Sequence, residues 1–154
     1  MPVVGRAETN TLPSMFPFVD SWDATPAGSA IDVSRMNDEP AGANGRILVK
    51  DGHFAEANTG RRVRFLGMCF GAPTDFPSHP DAERVALRLA RMGVNIIRIH
   101  HEDWRTIDHA SDLWEPGIGP ARFSSEGRDR LDYLIAQLKK NGIYVDLNLH
   151  TSRT

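Results

Sequence analysis

The chain has 154 residues, 40% of them hydrophobic and 25% charged, and 18 basic against 20 acidic side chains leave a formal net charge of -2. That is enough chain for one domain with a substantial core, and the charge balance points to neither a nucleic-acid nor a membrane partner. No apolar run approaches the roughly 20 residues of a membrane helix, and the lone Cys69 excludes an internal disulfide framework.

The first 45 or so residues are rich in proline and glycine (FPFVDSWDATPAG, NDEPAGANG) and read as irregular structure laid over something else. The opening MPVVGRAETNTLPSMFPF has no sustained apolar core of a signal peptide, so the compartment is not set by this stretch. In RILVKDGHFAEANTGRRVRFLG, Asp51-Gly52 between two β-prone tetrapeptides predicts a two-residue hairpin, and Asn58-Thr59-Gly60 a second turn. A longer strand is expected from Arg62 to Phe70. Residues 1–61 are therefore expected to form an N-terminal segment with hairpins, packed on a second region, 62–154.

From Ser78 the pattern changes. Ser78-His79-Pro80-Asp81 has a cap, an early proline and an acid three residues after the serine, which predicts a helix start. Ala82, Val85, Ala86, Leu89 and Ala90 recur at helical spacing until Gly93. VNIIRIHH is a β-branched strand. A long polar loop follows from Glu102 to Arg122, far beyond the usual βα connection of about 2–6 residues. Ser124 or Ser125 caps the next helix, with a stripe of Leu131, Leu134, Ile135 and Leu138, and Gly142 closes it before the strand IYVDLNLH.

The order strand, helix, strand, helix, strand predicts a parallel α/β sheet, either doubly wound or part of a (β/α)8 barrel. No G-x-G-x-x-G follows the first strand, and FGAPTDFP is a poor phosphate cradle, which argues against a dinucleotide site. Polar faces favour the barrel. Val145, Leu147 and Leu149 would pack on helices while Asp146, Asn148 and His150 face inward; likewise Ile97 and Ile99 face helices while Arg98 and His100 face inward. Counted from the two glycines, the inward sets differ by one residue, as a sheared barrel would require.

An arginine buried at mid-strand needs carboxylate partners, which makes Arg98 a site candidate. His150, at the end of its strand, is another. His100 and His101 resemble metal ligands, but neighbours on a strand point to opposite faces, so no metal is assigned. Trp104 and Trp114, in the long loop, are either stacking platforms for sugar rings or loop anchors. Cys69 is expected to be buried in its strand, and His53, His79 and His109 to lie at the surface.

RFLG, NIIRIHHEDW and RLDYLIAQLKKNGIYVDLNLH together resemble the cellulase-like glycoside hydrolases, family 5 and its relatives in clan A. IDVSRMNDEPAGANGRILVKDGHF is similar to the N-terminal region of a bacterial subgroup in which hairpins close the barrel bottom. The resemblance runs from about Phe16 to Arg153. It implies a (β/α)8 barrel, retaining cleavage of β-linked polysaccharide or oligosaccharide, a carbohydrate partner and no cofactor. Two carboxylates about 5 Å apart would do the chemistry, on fourth and seventh strands that this sequence does not contain. Arg98 would lie beneath the nucleophile. His150 and Asn148 would bond the sugar, and His100, Glu102, Asp103, Trp104 and Trp114 would line the groove. Met68-Cys69-Phe70 stands where the family often has an asparagine after the first-strand glycine.

A complete barrel takes about 250 residues, so the chain is expected to be the N-terminal part of one, inactive by itself. Two other readings remain open. One is a metal-dependent barrel hydrolase or isomerase using His100, Asp103 and His150; the other is a non-catalytic carbohydrate-binding half-barrel. The resemblance would allow an extracellular or periplasmic location.

Overall fold

A computed structural model describes residues 29–101, 103, 112–115 and 122–149. Its elements are a short 3-10 turn (Ser34–Met36), strands β1 (Ile47–Lys50), β2 (His53–Glu56) and β3 (Gly67–Gly71), a second 3-10 turn (Ala72–Asp75), helix α1 (His79–Arg91), β4 (Ile96–His100), α2 (Ser125–Lys140) and β5 (Tyr144–Leu147). β1 and β2 form an antiparallel pair, and β3-β4-β5 a parallel sheet in sequential order. The protein is thus mixed α/β, with two sheets and two α-helices among the described residues.

The hairpin turns at Asp51 and Gly52, whose φ angles of 50° and 74° are the pair of positive values a tight two-residue turn demands. Beyond β2 the expected long strand is shorter, and the reason is visible in the hydrogen bonds. Arg62 bridges back to Ala55, and Val63 N–H donates to Phe54 O at 2.8 Å, so this stretch belongs to the hairpin. Asn95 then substitutes for a strand partner. Its side chain accepts from Leu66 N–H at 2.8 Å and donates to Arg64 O at 2.9 Å, so the parallel ladder begins only at Gly67.

Both helices start and stop as their residue types dictate. Ser78 Oγ accepts from Asp81 N–H, and Ser124, rather than Ser125, accepts from Gly127 N–H. Each helix closes with the same double bond. Gly93 N–H reaches Ala90 O and Val94 N–H reaches Leu89 O; Gly142 N–H reaches Lys139 O and Ile143 N–H reaches Leu138 O. Gly93 and Gly142 hold φ of 80° and 73°, the left-handed step of a Schellman ending. The next residue, Val94 or Ile143, is buried against the helix it leaves, so the chain enters β4 and β5 already aimed at the core.

That core joins Ala82, Ala86, Leu89 and Ala90 of α1 with Leu134 and Leu138 of α2, Ile97 and Ile99 of β4, and Val94 and Ile143. Both helices therefore lie on one face of the sheet. Val145 packs against this cluster as expected, but Leu147 and Leu149 do not: they are 44% and 79% exposed, because among the described residues neither helix reaches past the near side of β5. The last strand is also shorter than IYVDLNLH, ending at Leu147, although Asn148 N–H still donates to Ile99 O at 3.0 Å. His79 lies at the surface as expected, but with partners. It pairs with Asp129 at 2.7 Å and stacks on Tyr133, joining the start of α1 to α2.

At the opposite end of the sheet, Phe54 of β2 meets Phe65, and Phe65 meets Tyr144, in edge-to-face contacts at 5.4 and 5.6 Å. Phe65 thereby links the hairpin to the N-terminal end of β5. The buried Glu56 holds the second turn, accepting from Asn44, Thr59 and Arg61.

The α1 cap carries a prediction. Ser78 Oγ donates to Asp81 Oδ2 at 2.6 Å and, with Arg84 adding to it, holds that carboxyl below its ordinary value of 3.8. A carboxyl lowered in the folded state stabilises above its unfolded value, and that stability is lost as pH falls through the folded one. Ser78→Ala should cost about 0.5–2 kcal/mol of stability. It should also return the Asp81 titration, followed by NMR, upward towards 3.8.

Candidate functional site at the C-terminal ends of the parallel strands

Register sorts the side chains of the sheet. Met68, Ile97 and Val145 stand abreast, then Cys69, Arg98 and Asp146, then Phe70, Ile99 and Leu147, with Gly71 beside His100. Alternate rows share a face. The rows of Ile97 and Ile99 face the helices. The row of Cys69, Arg98 and Asp146, continued by His100 and Asn148, lies on the other face, which no described element covers. The one-residue difference counted from the glycines is taken up before the ladder starts, so Arg98 stands opposite Asp146.

This placement corrects two sequence expectations. Arg98 is exposed, and among the described residues no carboxylate pairs with it. Cys69 is exposed as well. The alternation set Arg98 on the face away from the helices, where it stands, but a residue is buried only when something lies across from it, and nothing described does.

His100 and Asn148 come together. Asn148 Nδ2 hydrogen-bonds His100 Nδ1 across the ends of β4 and β5. His101 also departs from the alternation argument. The strand ends at His100, and His101 takes a left-handed φ of 61°, which turns its ring back onto that of His100 with centroids 3.7 Å apart. The two neighbours therefore do not point to opposite faces. Among the described residues no group of three His, Cys, Asp or Glu side chains is arranged to hold a metal ion.

Two carboxylates are buried at the same end of the sheet. Asp103, just beyond β4, is one the resemblance sets in the sugar groove; Asp75, fully buried in the turn after β3, is one the sequence reading did not single out. The available signal was an acid in a Gly-Ala-Pro-Thr turn directly after a strand, where the Thr74 hydroxyl closes the turn by accepting from Gly71 N–H at 3.0 Å. Trp114 stacks on Phe123 at 4.7 Å, and the two residues form an antiparallel bridge just ahead of α2. His150, Trp104, Glu102 and His109 lie outside the described residues.

No protein-family model, curated protein or solved structure matches the chain. Among the described residues no helix is long and apolar enough to cross a membrane.

Proposed function

We propose that the chain is the substrate-positioning part of a (β/α)8 barrel of the cellulase-like glycoside hydrolases, which cleave β-linked polysaccharide or oligosaccharide with retention. One observation carries the reading. Arg98, His100, Asp146 and Asn148 occupy the face of a sequentially ordered parallel sheet that no described helix covers, rising towards the strand ends, where barrel enzymes build their sites. A barrel interior is such a face, and helices confined to the other side are what a singly wound barrel needs. The edge-to-face contact of Phe54 with Phe65, and of Phe65 with Tyr144, supports the hairpin as the closure of the barrel's N-terminal end.

On this reading Arg98 supplies a fixed positive charge below the reacting centre and hydrogen-bonds the bound sugar, and His100 and Asn148 meet sugar hydroxyls. The two reacting glutamates belong to strands beyond the three present here. The purified chain should therefore bind cello- or manno-oligosaccharides without releasing reducing sugar. Arg98→Ala should weaken that binding by about 10- to 100-fold, the range for losing a hydrogen bond to a charged group. Calorimetric titration with a reducing-sugar assay alongside tests both points. Retaining hydrolysis by this chain alone, or oligosaccharide affinity indifferent to Arg98→Ala, would sink the assignment.

A further inference from the structure

The hairpin has an edge that no described element covers. Ile47 stands opposite Glu56, and Val49 opposite Phe54. Glu56 N–H donates to Arg61 O, and Val63 N–H donates to Phe54 O, so both β2 residues turn their backbone groups away from β1. In an antiparallel pair, opposite residues that do not bond each other face outward together. Ile47 and Val49 therefore present N–H and C=O on the free side of β1, where among the described residues no backbone group meets them. Val49 is 76% exposed. The two faces of this edge differ. Arg46, Leu48 and Lys50 share one face, and all three are exposed. Neither cation has a carboxylate partner among the described residues, whereas nearby Arg61 is held by Glu56 and Asp38. On the other face, Val49 borders a groove lined in part by Phe54, Val63 and Phe65.

We infer that the free edge of β1 is a docking site for an extended acidic segment of another protein, added as a further strand. An unpaired edge is a template for such pairing, and main-chain bonds to Ile47 and Val49 set its register. Charge selects the occupant. A second copy of β1 would bring arginine and lysine against arginine and lysine, and like charges opposite each other destabilise a strand pair. An acidic strand reverses that balance. Its pattern follows from the register: acids four residues apart face Arg46 and Lys50. Apolar residues between them cover Leu48 and reach the groove beside Val49. The inference goes beyond the glycoside reading and uses no residue of the sugar face.

The test is a titration of the whole chain, followed by amide ¹⁵N–¹H spectra, with the capped peptide Glu-Val-Leu-Val-Glu. Capped Lys-Val-Leu-Val-Lys is the opposing probe. Only the acidic peptide should bind, with its largest shifts and slowed amide exchange at Ile47 and Val49. Val49→Pro removes an outward N–H, a change that an edge strand tolerates, and should abolish the binding. Reversing both charges, with Arg46→Glu and Lys50→Glu together, should weaken the acidic peptide by about 10-fold or more and admit the basic one. If Val49→Pro fails to fold, the charge reversal decides. No binding of the acidic peptide, equal binding of both peptides, or shifts centred away from β1 overturns the inference. A single-stranded oligothymidylate that binds this face while the acidic peptide does not would make it a polyanion site, and strand addition would fall.

Discussion

Gly127→Ala is expected to destabilise the protein by at least the 1–3 kcal/mol typical of overpacking, although alanine is the better helix former by about 1 kcal/mol. Gly127 is buried in the first turn of α2, and a Cβ there would lie 1.8 Å from Asp112 O and 2.6 Å from its carbonyl carbon. Both are backbone atoms, so no rotamer change relieves the overlap. Either the helix start or residues 112–115 must move. Moving the latter breaks the bond from Ser124 N–H to Leu113 O at 2.8 Å and the stack of Trp114 on Phe123. Thermal unfolding followed by circular dichroism reads the loss directly. A melting temperature equal to or above that of the unaltered chain would show that the close approach is absent.

The second large effect is in the core. Leu134 is fully buried where α2 meets α1 and the Ile97–Ile99 face of β4. Leu134→Ala should cost about 2–5 kcal/mol, the transfer term plus the cavity left behind. For a chain of this size that lowers the melting temperature by roughly 4–20 °C. Leu147→Ala is the informative control. Leu147 is exposed at the edge strand, so its truncation should cost much less. Equal losses for the two would mean that something covers the outer side of β5, and the description of that edge would fail.

The elements that could be read from the sequence are those set by local chemistry. Asp51-Gly52 announced its turn because few other dipeptides tolerate two positive φ angles. Ser78 and Ser124 announced their helices because an N-terminal amide needs an acceptor, and Gly93 and Gly142 announced the exits. The stripe of Leu131, Leu134, Ile135 and Leu138 is the face that packs. Strand limits were not legible, because distant groups set them. An asparagine side chain at position 95 decides where β3 begins, and no pattern within 62–70 records that. Site chemistry divided in the same way. Alternation placed Arg98, His100, Asp146 and Asn148 on one face, yet said nothing of whether that face was covered, and so gave Arg98 a burial it lacks. The turn of His101 onto His100 depends on a single backbone angle at a strand end, which periodicity does not reach.

The segment that precedes the hairpin is joined to parts of the chain made much later. Val33 N–H donates to Arg91 O, Asn37 Nδ2 to Val94 O across 57 positions, Ala41 N–H to Lys139 O, and Gly42 N–H to the Tyr144 hydroxyl across 102. These bonds gather the ends of both helices and the starts of β4 and β5. During synthesis the ribosome releases this strap before its anchors. Its bonds cannot close until α1, α2 and β5 exist, so it settles after the elements that follow it in sequence. Its long-range closures add to the entropy that must be spent before the fold is rewarded.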